Sequence, residues 1–226
     1  MFTDVPPSYD FVNRVLTWRF DVIWRKKAAS ESLKNNPSKI LDLCTGTGDL
    51  ALQIRKKTES GAKVFALDYS KPMLKLAITK ANKKKFDDIT FIHADVANIP
   101  FPDSHFDSVG IAFAFRNLTF HNPDHDIFLK EIYRIIKPGG RFVIVETSQP
   151  KNKLLRSLFH FYMKHITSPL GGFLSGNRGA YRYLAHSAIN YWNDQEATDY
   201  LKSYGFSQVT TKMILGGISA IYVAIK

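Results

Sequence analysis

The residues of this chain best placed to do chemistry sit in LDLCTGTGD, positions 41–49. An apolar strand there runs into a tight glycine turn and then into a helix. Gly46 and Gly48 let the backbone approach a ligand closely, and the new helix offers free N–H groups at the same place. Thr45 and Thr47 add hydroxyls beside them. Twenty residues after Gly48 a second short strand, KVFALD, ends in Asp68. A carboxylate there can accept hydrogen bonds from both hydroxyls of a ribose. The pattern predicts a nucleoside-containing cofactor.

The glycines alone do not choose which. Gly46-x-Gly48-x-x-Ala51 also satisfies the dinucleotide fingerprint, so a nicotinamide oxidoreductase stays in play. Charge argues for another ligand. Asp42 and Asp49 flank the turn, where they would repel a pyrophosphate but suit an ammonium and a sulfonium, the charges of S-adenosyl-L-methionine. Asp49 also reads as a helix N-cap. Asp42 closes a buried strand and therefore needs a partner.

These residues need elements to hold them. Apolar spacing predicts helix over 8–34, ended by Pro37, and then strand 39–43, helix 49–58, strand 63–68, helix 71–83 and strand 89–93. Strand 106–113, helix 124–136 and strand 140–146 follow, with Pro138-Gly139-Gly140 turning the chain between the last two. Such alternation builds a parallel sheet with helices on both faces. A helix at 194–204 leads to two strands joined by Gly216-Gly217 as a hairpin, so the last strand should be antiparallel. The fold class is therefore α/β: a Rossmann-like, seven-stranded class I S-adenosylmethionine-dependent methyltransferase sheet.

Ligands in such sheets lie outside the carboxyl ends of the strands. Beyond Asp42 and Asp68, those ends offer Met73 for an adenine pocket and Asp95 with Val96 for the adenine edge. Ala112 and Phe113 close the fourth strand. Arg116 and Asn117 come just after it, where a transferred methyl should emerge. Arg116 is cast as a fixed cation that stabilises an acceptor gaining negative charge. The competing reading is an ion pair with Asp68 or Asp124.

The whole chain, 226 residues and 45% hydrophobic, suits one domain, with 8–34 as a helical cap and 150–190 as a helical insertion over the site. In that insertion two helical stretches are expected around a glycine-rich turn at 168–177. Leu154, Leu155, Leu158, Phe161, Tyr162 and Ile166 repeat at helical spacing among Lys151, Lys153, Arg156 and Lys164. That is an amphipathic basic helix, a greasy cover for a hydrophobic acceptor. The net charge of +11 favours polyanions, an anionic membrane surface among them. Cys44 is the single cysteine, which excludes internal disulfides and thiolate zinc clusters, and no metal site is expected. Neither a signal peptide nor a membrane span is expected, which points to the cytoplasm, peripheral at most to the inner face of the cell membrane.

Several further segments resemble one family, the ubiquinone/menaquinone biosynthesis C-methyltransferases. They are YDFVN (9–13), Trp24-Arg25, PFPDSHFD (100–107), FAFRNL (113–118), YRIIKPGGRFVIVETSQP (133–150), YRYLAHS (181–187) and LGGISAI (215–221). The resemblance implies methylation of a ring carbon on a prenylated quinol, most directly demethylmenaquinol, by S-adenosyl-L-methionine. It carries cofactor contacts onto Thr47, Asp68, Asp95 and Val96, a catalytic role onto Arg116, and acceptor contacts onto Tyr9, Asn117, Tyr181 and Tyr183. A ubiquinone-pathway enzyme remains an alternative, and a homodimer is left open. Two rivals differ in class. A nucleic-acid methyltransferase would suit the charge, but FAFRN stands where an Asn/Asp-Pro-Pro-aromatic run would be needed, so no nucleic-acid partner is expected. A non-catalytic quinone- or lipid-binding protein would keep the fold without binding the donor.

Overall fold

The computed structural model describes residues 9–58 and 61–226. Seven strands form one sheet in the order β3-β2-β1-β4-β5-β7-β6. Strands β1 (Lys39–Leu43), β2 (Lys63–Asp68), β3 (Ile89–His93), β4 (Phe106–Ala112) and β5 (Ile136–Thr147) run parallel. β7 (Ser219–Ile225) slots antiparallel between β5 and β6 (Gln208–Ile214).

The sheet is apolar on both faces, and successive residues divide between them. Leu41, Leu43, Phe142, Ile144 and Tyr222 face one core, where Leu129, Ile132 and Ile135 of α6 (His125–Ile135) and Leu201 of α10 (Asp194–Ser203) cover them. Ile40, Val143, Val145, Ile221 and Val223 face the other, beneath Trp24, Ala28 and Ala29 of α2 (Phe20–Ser32) and Leu50 and Ile54 of α3 (Asp49–Lys57). Burial on both sides is what a parallel sheet requires.

Four sequence expectations change. The helix expected over 8–34 is broken into α1 (Tyr9–Leu16) and α2, because Trp18 and Arg19 take left-handed φ values of 53° and 63°. FAFRN runs into a short helix, α5 (Phe115–Thr119), which the sequence reading missed. The Pro138-Gly139-Gly140 turn lies inside β5, as an irregularity that shifts the β4–β5 register near Phe106.

The fourth change concerns the insertion. It holds α7 (Lys153–Tyr162), a π-helical turn (Met163–Thr167), α8 (Ser168–Ser175) and α9 (Arg178–Ile189). The expected glycine turn is thus mostly helix. A Cβ on Gly171 would lie 2.2 Å from the Tyr181 ring, and one on Gly172 would lie 3.1 Å from the Arg178 backbone. These glycines let α8 and α9 pack closely. Only Gly176, at φ 72°, makes the turn.

Candidate active site

The carboxyl ends of β1, β2 and β4, with the segment after β3, open into a cavity of about 300 Å³. Asp42, Cys44, Thr45, Gly46, Thr47, Asp68, Met73, Asp95, Val96, Ala112 and Phe113 line it. Every expected cofactor residue therefore meets there except Gly48. Gly48 stands back from the cavity, at φ 82°, and a Cβ on it would lie 2.9 Å from that of Ala77. It packs the start of α3 against α4 (Lys71–Lys83).

Local hydrogen bonds fix the turn. Gly46 N–H donates to Asp68 Oδ2 at 2.7 Å, and Ser70 N–H donates to Asp68 Oδ1 at 2.8 Å. The strand end and the glycine turn are thereby stitched through one carboxylate. Burial raises the Asp68 carboxyl above its ordinary value, against the lowering pull of those N–H donors. Asp95 caps the short helix that follows it, accepting from Ala97 N–H at 2.9 Å.

Asp42 has the partners its position demanded. Its Oδ2 accepts from Thr45 Oγ1 at 2.5 Å and from Ala51 N–H at 2.8 Å. Its Oδ1 is buried with no hydrogen-bond partner among the described residues. Burial pushes this carboxyl up to about 7, only partly offset by the Thr45 and Ala51 bonds. Burial also drives the Cys44 thiol well above its usual range, helped by Asp68 and Asp42, so Cys44 stays a neutral wall residue.

Asp49 is not the N-cap. Gly48 occupies that position, and Asp49 is the first helical residue. Its carboxylate pairs with Lys80 at 2.7 Å and Arg14 at 3.5 Å. Burial raises the Asp49 carboxyl, but Lys80 and Arg25 outweigh it and the net shift is downward. Lys80 also pairs with Asp10 at 2.5 Å and donates to Thr47 Oγ1 at 2.8 Å, which ties α1 to α4 across the turn.

A second cavity of about 370 Å³ lies beside the first. Leu16, Trp18, Phe20 and Trp24 of the N-terminal segment line one side, and Leu155, Leu158, Phe159, Tyr162 and Met163 of the insertion line the other. Among the described residues three line both cavities: Arg25, Phe113 and Asn117. The Arg25 guanidinium lies 4.9 Å above the Phe113 ring and bonds Asp21 at 2.6 Å. Phe113 takes φ 59°, the turn that sets its ring at this junction. Asn117 Oδ1 is buried there without a hydrogen-bond partner among the described residues.

Arg116 lines the second cavity, but its ion pair is with neither Asp68 nor Asp124. Its Nη1 donates to Glu146 Oε1 at 3.0 Å and to Thr147 Oγ1 at 2.9 Å, and its Nε donates to Ser187 Oγ at 3.0 Å. Glu146 also accepts from the Arg116 backbone N–H at 3.0 Å, which α5 makes available. The signal was in the sequence: Glu146 ends a buried strand, and such a carboxylate needs a cation, by the same logic applied to Asp42.

Of the expected acceptor contacts, Asn117 and Tyr183 line the second cavity. Tyr181 does not; it is buried among Val12, Leu16 and Leu174, where α9 meets α1. The Tyr9 side chain lies outside the described residues. Arg25 is the residue that site reasoning missed, although Trp24-Arg25 carries part of the family resemblance.

The donor set of the first cavity fits a cationic nucleoside. Among the described residues, five aspartates (Asp10, Asp42, Asp49, Asp68 and Asp95) line it, and Arg25 is the one cation in the lining. A pyrophosphate would be repelled by Asp68 and Asp95 at the strand ends. A ligand bearing ammonium, sulfonium and carboxylate would find aspartates for the first two and Arg25 for the third.

The model of the ubiE/COQ5 methyltransferase family matches residues 1–226. A demethylmenaquinone methyltransferase of Thermus thermophilus is 39% identical over 99% of this chain and 98% of its own length. The ubiquinone/menaquinone biosynthesis C-methyltransferase UbiE of Geobacter sulfurreducens is 37% identical over 100% of this chain and 87% of its own. Among solved structures, a SAM-dependent methyltransferase of Aquifex aeolicus shares the fold, with TM-score 0.64 at 20% identity over 98% of this chain and 94% of that one.

Proposed function

This chain belongs to the ubiE/COQ5 methyltransferase family, and we propose that it uses S-adenosyl-L-methionine to methylate a ring carbon of a prenylated quinol, with demethylmenaquinol as the first candidate. One observation carries the reading: an aspartate-lined cavity and an apolar cavity meet at Arg25, Phe113 and Asn117. A polar, cationic donor suits the first, and an aromatic ring with a long hydrocarbon tail suits the second.

When bound, the donor supplies an electrophilic methyl on a sulfonium. The residues of the chain then have separable tasks. Asp68 presents its carboxylate to the ribose hydroxyls, and Asp95 and Val96 meet the adenine edge. Arg25 is the cation for the donor's carboxylate, held in place by Asp21 and the Phe113 ring. Asn117 presents a buried amide oxygen at the junction. Arg116 contributes N–H donors toward an acceptor oxygen. With Glu146 against it, the pair is neutral as a whole, so directed hydrogen bonds outweigh net charge in that role.

The acceptor must be the reduced ring. A quinol carbon beside a phenolic oxygen is electron-rich, whereas the quinone carbon is itself electrophilic. Positioning two bound reactants across one junction accounts for much of the rate. The test is transfer of labelled methyl to a short-tailed demethylmenaquinol, with and without reductant. Transfer only under reducing conditions supports the proposal. No transfer in either condition, with donor binding intact, removes it.

A further inference from the structure

Fifteen large apolar side chains stand exposed among the described residues, and all but Tyr69, Ile78 and Ile127 fall on three segments: α1 with the start of α2, the insertion, and Leu215. On α1 they are Phe11 and Val15, with Trp18 in the turn that follows, and on α7 they are Leu154, Leu158 and Phe161. The α7 set follows the i, i+4, i+7 spacing of a single helix face, and Phe11 and Val15 share the i, i+4 spacing of one face of α1. The opposite face of α1 is already satisfied, since Val12 and Leu16 pack on Tyr181 and Leu174. Scattered apolar residues on a surface are ordinary, but an outward stripe on α7 beside an outward apolar group on α1 and its turn is not.

The segments make one face. Tyr162 of α7 donates its hydroxyl to the Leu16 carbonyl at 2.8 Å, and Leu174 of α8 packs on α1. Trp18, Phe20, Leu158 and Leu215 are exposed and also line the second cavity. The apolar face is therefore the rim of that cavity's mouth.

Charge identifies what covers it. Residues 151–190 hold Lys151, Lys153, Arg156, Lys164, Arg178 and Arg182 and no Asp or Glu, so six positive charges of the net +11 lie in this one segment. Only Lys151 forms an ion pair among the described residues, with Asp194. A second copy of the chain would bring two such cationic segments together and be repelled. A polyanion without an apolar phase would leave Leu154, Phe161 and Phe173 in water.

We propose that this face docks on an anionic lipid bilayer. Trp18, Leu154, Phe161 and Phe173 enter the acyl boundary, Lys153, Arg156 and Lys164 meet the headgroups, and the second cavity opens toward the lipid. The docking stands on exposure and charge; its purpose, delivery of a prenylated acceptor without passage through water, rests on the quinol reading. No helix among the described residues is long and apolar enough to cross a membrane, which fits attachment from one side.

The experiment is co-sedimentation with phosphatidylcholine vesicles, with and without phosphatidylglycerol, at low and high salt. Trp18 fluorescence is read against brominated lipid, Trp24 being buried and Trp192 packed against Tyr191 and Tyr200. Anionic vesicles should bind roughly tenfold more strongly or better, salt should weaken the binding, and Trp18 should be quenched. The triple variant Leu154→Ser, Phe161→Ser, Phe173→Ser and the charge variant Lys153→Glu, Lys164→Glu change residues outside both cavity linings. Each should lose vesicle binding yet keep transfer to a short-tailed acceptor in solution, which shows that it is folded. Equal binding to neutral vesicles, binding unaffected by both variants, or self-association abolished by them without any vesicle binding overturns the proposal. Normal vesicle binding with no transfer to any quinol would uphold docking and strike the quinol reading instead.

Discussion

The Arg116 guanidinium and the Glu146 carboxylate form a buried ion pair at 3.0 Å, and through it the chain after β4, the end of β5 and Ser187 of α9 are held as one unit. Glu146 is fully buried, and its carboxylate accepts from the Arg116 backbone N–H, Arg116 Nη1 and the Thr147 N–H. Removing the arginine would leave a charged acceptor stranded in the core.

Arg116→Ala should therefore lower unfolding free energy by about 3–5 kcal/mol, the usual cost of orphaning one member of a buried pair. Adding Glu146→Gln should recover part of the loss. Denaturant titration of the two variants checks both expectations. Stability unchanged in Arg116→Ala would mean that the pair holds nothing together.

Asp68→Ala should weaken donor binding by about 2–4 kcal/mol, because two charge-assisted bonds to a ribose go at once. It also frees the Gly46 and Ser70 N–H groups, which loosens the turn. Calorimetric titration with S-adenosyl-L-methionine measures this. An unchanged dissociation constant would take Asp68 off the cofactor site.

Much of this arrangement could be read from the chain. Short apolar runs alternating with helical spacing, punctuated by Pro37 and Gly216-Gly217, made the order of strands and helices plain. The aspartates at three strand ends announced the donor cavity. What stayed hidden depends on partners distant in sequence. The left-handed break at Trp18-Arg19 has no glycine to announce it. Gly171 looked like a turn residue because the Tyr181 ring that requires it comes ten positions later. Arg25 joined the site only when α2 folded over Phe113.

Asp42 predicts a pH dependence. Its carboxyl is raised from 3.8 to about 7 by burial, so without ligand it binds a proton at mildly acid pH. A cationic donor favours the ionised form. Affinity should thus rise as pH increases toward about 7 and level off above it, by up to about tenfold per unit on the acid side, with proton release on binding. The unliganded protein shows the opposite trend: the unfolded chain holds fewer protons over this window, so stability falls as pH rises. Calorimetry in buffers of different ionisation enthalpy reads the proton release. Asp42→Asn should flatten the affinity profile, and a profile unchanged by that substitution would count against the assignment.

Gly171→Ala should destabilise the insertion, since its Cβ would press on the Tyr181 ring at 2.2 Å. Overpacking of this kind costs about 1–3 kcal/mol. Limited proteolysis within 150–190 should quicken while the sheet stays protected. Equal cleavage rates would show that α8 and α9 have room to part.

The central claim is carbon methylation of a quinol ring at the junction of the two cavities. The most direct measurement is the carbon NMR spectrum of the product formed from donor carrying a carbon-13 methyl group and a reduced short-tailed demethylmenaquinol. The account predicts a single labelled methyl bonded to ring carbon. A labelled methoxy group would contradict it by placing a phenolic oxygen, not the ring, at the junction of Arg25, Phe113 and Asn117.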